Sequence, residues 1–213
     1  HDLQQPLQSI QGYAKIITLQ CPELLNTAVN EYIAKILAAS GRMQELIQYL
    51  LNYARIDKQS EEMVRVDCHQ VLSQSLQNLD SAIKASQARV TYNDLPMVRG
   101  NSMQLVQLFQ NLISNAIKFS RPEISPTISI TAAKKDEAWL FQVEDNGIGI
   151  PPEHLSTIFA KFQRIDSGDN RAVPVTGIGL AVCQKIVENH GGQIWATSAP
   201  DSGTTFSFVL PRL

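Results

Sequence analysis

The stretch EDNGIGIPP (144–152) decides how the chain is read. An alternating apolar run ends there on a carboxylate, Asp145, and two glycines follow, Gly147 and Gly149, one residue apart. Glycine tolerates φ > 0 and lets the backbone approach a ligand closely. A strand-end Asp with nothing crowding it can accept a hydrogen bond from an amino-purine. The same letters also make a plain Asn-Gly turn. The neighbouring segments decide between the two.

Upstream lies NLISNAIKF (111–119). Asn111 and Asn115 are four apart and share one helix face, with Lys118 a turn further on. Carboxamide oxygens ligate hard cations and Lys meets phosphate, although two Asn on a helix are equally a solvated edge. Downstream, in TGIGLAVCQKIV (176–187), Gly177 and Gly179 open an apolar helix that continues through Leu180. Free N–H groups and the dipole at such an N-terminus suit phosphate. There is no GxxxxGK[ST] anywhere and GxGxxG is incomplete, so neither a P-loop nor a dinucleotide fold is indicated. The intervening 151–176 carries Lys161, Arg164 and Arg171 around Gly168-Asp169-Asn170. A segment so long inside a compact domain reads as a lid or as disordered. Basic residues on it suit phosphates, or else form a solvated loop.

Outside this core the chain splits in two. Leu3, Leu7, Ile10, Ala14 and Ile17 form a heptad seam, interrupted at Cys21-Pro22-Glu23. After a cap at Asn26 or Thr27, a second seam runs through Ile33, Ile36, Ser40, Met43, Ile47, Leu50 and Ala54. Two such helices form a hairpin with one sticky face, which a second copy would complete as a dimeric four-helix bundle, the alternative being an intramolecular coil packed on the rest of the chain. The pattern changes near residue 60, giving an all-α hairpin over 1–60 and a second domain over 61–213. In the latter, strands are expected at 63–67, 88–92, 127–135, 138–145, 193–198 and 204–210. Helices are expected at 68–86, from an Asn101 cap to about Phe119, and at 177–190. This irregular order indicates an α+β sandwich with a mostly antiparallel sheet.

Composition sets outer limits. The 213 residues are 44% hydrophobic with a net charge of −2, so real cores are possible and generic nucleic-acid binding is not indicated. Cys21, Cys68 and Cys183 form no CxxC pair and read as buried reduced thiols, which points to a cytoplasmic setting. No signal peptide and no apolar run of about 18 residues is present. The chain opens inside what reads as a helix, and the expectation is a fragment with an upstream part missing.

NxxxNAxKF, DxGxG, a phenylalanine-bearing lid, GxGL and GTTF occur in an order that resembles the Bergerat-type ATP-binding fold. With HDLQQP (1–6) in front, nearly the whole chain resembles the sensor histidine kinases of two-component systems. HDLQQPL with FQRI (162–165) is most similar to their phytochrome-type branch. The resemblance implies that His1 is the phosphoacceptor and that Asp2 orients it or takes its second ring proton. It implies ATP and Mg²⁺, with Asn115 as the metal ligand, Asn111 beside it and Lys118 on phosphate. Asp145 would bind the adenine amino group above Gly147 and Gly149. Phe159 and Phe162 would anchor the lid, and Arg164 would reach the γ-phosphate. Gly177, Gly179 and Leu180 would present the helix start to the phosphates, and Thr204 after Gly203 would close the pocket. Expected partners are a second copy of the chain, a response regulator receiver domain and an upstream sensor in the same parent chain, but not nucleic acid.

Two details refine this. The ATP-hydrolysing relatives of the fold (gyrase, mismatch-repair and chaperone ATPases) carry Glu four residues before the metal Asn, to activate water. Here that position is Asn111, and a carboxamide is no base at pH 7, which fits transfer to an external nucleophile. Many kinases of the family carry Thr or Asn four residues after the phosphoacceptor, a position linked to phosphatase activity. Here it is Gln5, so the resemblance does not carry that activity over. A non-catalytic nucleotide-binding module, and a stand-alone ATPase or serine/protein kinase of the same fold, are the alternatives.

Overall fold

The computed structural model describes residues 4–20, 29–37, 39–41, 43, 47, 63–160 and 178–212. They fall into a helical unit, 4–47, and a sheet-containing unit, 63–160 with 178–212. No helix among the described residues is long and apolar enough to cross a membrane.

In the helical unit, α1 spans Gln4–Gln20. The described helical residues between 29 and 47 belong to α2. The seams expected from the heptads divide into two sets. Leu7, Ala14, Ile33 and Ser40 are buried, and the Ser40 hydroxyl donates to the Leu7 carbonyl at 3.2 Å. Ile10, Ile17, Ile36 and Met43 alternate with them and stay 44–51% exposed. Ile47, further along the second seam, is half-buried. Leu3, the turn at 21–28, Leu50 and Ala54 lie outside the described residues.

The second unit opens with β1 (Val64–Asp67) and α3 (Cys68–Asn78), then α4 (Asp80–Ser86), β2 (Arg89–Tyr92) and β3 (Met97–Gly100). Then follow α5 (Ser102–Lys118), β4 (Thr127–Lys135), β5 (Ala138–Asp145) and α6 (Pro152–Leu155). The unit closes with α7 (Gly179–Asn189), β6 (Gln193–Ser198) and β7 (Thr204–Pro211). The main sheet runs β2-β4-β5-β7-β6, parallel only between β2 and β4, and β1 pairs with β3 separately. This is the α+β arrangement read from the sequence, with an antiparallel majority.

The core follows from simple periodicities. On α5, Leu105, Leu108, Phe109, Leu112, Ile113 and Ala116 are buried, the double row of an amphipathic helix. Asn101 caps it, accepting from the Gln104 N–H at 3.0 Å. Phe109 meets Phe141 of β5 and Phe208 of β7 edge-on, at 6.2 and 5.9 Å between ring centres, and those two rings stack at 4.9 Å. Each such ring contributes about 1.5–3 kcal/mol by burial. Cys68 and Cys183 are buried free thiols, and burial pushes both up to about 12.

Three local readings needed correction. The expected helix over 68–86 breaks at Leu79 (φ −102°, ψ 5°), where Asp80 starts a new helix and pairs with Lys84 at 2.7 Å. The four-residue β3 has too little alternation to show in the sequence. The start of the expected lid holds α6, one turn opened by Pro152.

Candidate nucleotide site

The end of β5 is held by backbone donors. Oδ1 of Asp145 accepts from the Gly147 N–H at 2.8 Å and from the Thr204 N–H at 3.2 Å. Both bonds use the same oxygen, so Oδ2 is left as an acceptor among the described residues. Burial pushes this carboxyl above its ordinary value, and the neighbouring Glu144 adds to that. The two N–H groups partly oppose the rise. A half-buried carboxylate with one lone-pair-bearing oxygen turned from its own backbone suits an exocyclic amine.

The glycines are required by close approaches. A Cβ on Gly147 would meet the Phe119 carbonyl oxygen at 2.5 Å. The Ile148 N–H donates to that same oxygen at 3.0 Å, so the loop is laid against the C-terminal end of α5. Gly203 has φ +76°, and a Cβ there would run into the Asp145 carbonyl. The loop is also tied to the β6–β7 turn. The Ile150 N–H donates to Ser198 Oγ at 2.8 Å, Asp201 N–H to the Ile148 carbonyl at 2.8 Å, and Ser198 Oγ to the Gly203 carbonyl at 2.6 Å.

Arg121 and Asn146 add a second layer that the sequence did not single out. Arg121 Nε donates to the Asn146 carbonyl at 2.9 Å and its terminal nitrogen to the Asp201 carbonyl at 3.3 Å. Asn146 accepts from the Thr127 N–H and donates to the Ser125 carbonyl. The only signal available was the place of Asn146 inside EDNG.

On the α5 side, Asn111 Nδ2 donates to the Gly179 carbonyl at 3.4 Å, joining α5 to the start of α7. The Asn115 carboxamide, one turn on, is half-buried and makes no side-chain hydrogen bond among the described residues. Lys118 closes the same helix. At α7, Ile178 precedes Gly179 with no side-chain cap, so the first N–H groups, including that of Leu180, are left for a ligand or water. Phe159 rests edge-on against Phe206 at 6.4 Å. Asp145, Gly147, Gly149 and Thr204 therefore meet at one end of the sheet, beside the end of α5 and, through Asn111, the start of α7. His1, Asp2, Phe162, Arg164 and Gly177 lie outside the described residues. Among the described residues no three His, Cys, Asp or Glu cluster as a metal site.

The family description "Histidine kinase-, DNA gyrase B-, and HSP90-like ATPase" matches residues 100–213, and "His Kinase A (phospho-acceptor) domain" matches residues 1–59. The chain belongs to the histidine kinase family. Phytochrome-like protein Cph1 of Synechocystis sp. is 39% identical to this kinase chain over 211 residues, covering 99% of the chain and 28% of the relative. Cyanobacterial phytochrome A of Nostoc sp. is 41% identical over 211 residues, covering 99% and 27%. The kinase chain thus spans less than a third of either relative. The histidine kinase ThkA, solved in complex with the response regulator TrrA, shares the fold at TM-score 0.66 and 20% identity, over 98% of this chain and 59% of that one.

Proposed function

We propose that this chain is the catalytic core of a sensor histidine kinase, moving the γ-phosphoryl group of ATP to His1 and then to an aspartate of a response regulator. The observation that carries it is the Asp145 carboxylate. Two backbone N–H groups fix one oxygen and leave the other for the adenine amino group, on a floor kept open by Gly147 and Gly149.

Domain 61–213 binds the nucleotide. Thr204 holds Asp145 in place. Asn115 supplies a carboxamide oxygen to Mg²⁺, Lys118 meets phosphate, the start of α7 at Gly179 and Leu180 gives N–H donors, and Gly177 contributes its own N–H to the phosphates. A metal with one protein ligand suits Mg²⁺, which is commonly held through substrate phosphates and neutralises their charge when bound. Asn111 is spent on the Gly179 carbonyl and cannot act as a base toward water. Phe162 and Arg164 belong to the lid, Arg164 reaching the γ-phosphate.

Domain 1–60 supplies the acceptor. A neutral His1 imidazole attacks phosphorus with its free lone pair, a P–N bond forms, and the bond to the bridging β,γ-oxygen breaks with ADP leaving. Asp2 takes or holds the second ring proton. The 44–51% exposed residues Ile10, Ile17, Ile36 and Met43 are the face that a second copy covers, giving the homodimeric four-helix bundle. The parent protein carries an upstream sensor, and this part works in the cytoplasm.

Incubation with γ-labelled ATP and Mg²⁺ tests the proposal. Acid-labile, alkali-stable label is expected on the parent and absent from His1→Gln and Asn115→Ala. Nucleotide binding with no label, even after upstream residues are restored, would show a binding module. Phosphate release independent of His1 would show an ATPase.

A further inference from the structure

His190 is outside every expectation above, yet it is among the few buried polar side chains of the sheet unit. Both ring nitrogens are engaged. Nδ1 lies 2.7 Å from the Ile186 carbonyl, which can only accept, so Nδ1 carries the proton. Nε2 lies 3.0 Å from the Asn101 N–H, which can only donate, so Nε2 holds a free lone pair. The tautomer follows from the partners. Gly100 makes room for the ring, since a Cβ there would stand 2.8 Å from His190 Cδ2. One imidazole thus ties the end of α7 to the end of β3 and the N-cap of α5.

The opposite end of the same antiparallel helix pair is tied by Asn111 to the Gly179 carbonyl. The two ties are ten residues apart along α5, about 15 Å at 1.5 Å per residue. Between them they prevent sliding of α7 along α5. The phosphate side of the site depends on that alignment, since Asn115 and Lys118 ride on α5 and Gly179 and Leu180 on α7.

We propose that His190 is a positioning residue for the nucleotide site: as a neutral acceptor it pins the α7 end to the α5 N-cap and so holds the two phosphate-facing helix ends in register. This rests on the nucleotide site proposed above. A protonated ring would present a second N–H to the Asn101 N–H, replacing attraction with repulsion, so the pin opens in acid. Burial already holds the His190 pKa below its ordinary value, the Ile186 carbonyl opposing this in part. The charged residues on the surrounding elements do not mask this titration. Arg99 of β3 and Glu188 of α7 are exposed, Lys185 of α7 is half-buried, α5 has no charge before Lys118, and β7 has none.

The test is Mg²⁺–nucleotide affinity across pH 5 to 8 (a non-hydrolysable ATP analogue) for the whole chain, His190→Gln and His190→Phe. Gln can accept from the Asn101 N–H and does not titrate, whereas Phe fills the space without either bond. At pH 7.5 the parent and His190→Gln are expected to bind alike, and His190→Phe roughly five- to tenfold more weakly, the worth of about one lost hydrogen bond. As the pH falls below the ordinary histidine range the parent loses affinity, and His190→Gln does not share that loss, any decline that Asp145 adds being common to both. If His190→Phe does not fold, the Gln profile alone decides. A Gln variant as acid-sensitive as the parent, or a folded Phe variant that binds normally, overturns the positioning role. Failure of the parent itself to bind at pH 7.5 would strike instead at the nucleotide site.

Discussion

The two units of this chain deal with their apolar surface in opposite ways. In the sheet unit, Phe109, Phe141 and Phe208 close on one another and are lost to solvent within a single copy. In the helical unit, Leu7, Ala14, Ile33 and Ser40 are buried while Ile10, Ile17, Ile36 and Met43 stay half-exposed. Stability of the first is therefore a property of one chain. That of the second, in the dimer proposed above, is tied to concentration.

Paired substitutions would break this contrast if it is wrong. Phe208→Ala should destabilise the sheet unit by about 3–5 kcal/mol, because a stacked ring is replaced by a cavity that its neighbours cannot fill. The loss should be the same at any protein concentration. Ile36→Asp should leave the sheet unit's melting unchanged and raise the dimer dissociation constant roughly a hundredfold or more, since each dimer would bury two unpaired carboxylates. Sedimentation and denaturation at several concentrations would check both. A concentration-independent loss from Ile36→Asp would show that the exposed seam is not an interface between copies.

The same contrast explains what the letters revealed. Strands β4 and β5 were legible to the residue because buried positions alternate along them, Ile128 with Ile130 and Phe141 with Val143, and β6 because Pro200-Asp201-Ser202-Gly203 marks its hairpin with β7. The heptads gave two helices, but not that the seam residues would divide into a buried and an exposed set, because the spacing marks both sets alike. The break at Leu79 was hidden because both sides of it read as helix and the Asp80–Lys84 pair fits either reading. In the site, Asp145 and the glycines were visible as chemistry. Arg121, Ser198 and His190 were not, because they act through backbone partners far away in sequence. His190 reaches an amide 89 residues earlier, and no local pattern records that.

Within the sheet unit the loops at the end of β5 should be stiffer than their glycine content suggests. Gly203→Ala sharpens this. At φ +76°, with the Asp145 carbonyl where a Cβ would go, alanine must push the turn outward. A cost of about 1–3 kcal/mol is expected. The Thr204 N–H should leave Asp145 Oδ1, so nucleotide affinity should fall further than stability predicts. An affinity loss no larger than that from a comparably destabilising core change would mean the turn does not hold Asp145.

The smallest expected effect is the most specific to this loop pair. Arg121 joins two segments through their carbonyls, Asn146 on one and Asp201 on the other, and it is only half-buried. Removing it leaves the carbonyls free to meet water, so Arg121→Ala should cost no more than about 1 kcal/mol of stability. The loops would then keep separate time: one carries Gly147 and Gly149, the other precedes Thr204, and Asp145 is held by both. A few-fold rise in the dissociation constant for nucleotide should follow, with little change in the rate of labelling once nucleotide is saturating. Lysine can reach one carbonyl but not fork to two, so Arg121→Lys should restore part of the affinity and not all of it. Full rescue by lysine would mean the charge matters and the bridge does not. No change in the alanine variant would mean that the backbone bonds from Asp201 and Ile150 suffice to hold the two loops together.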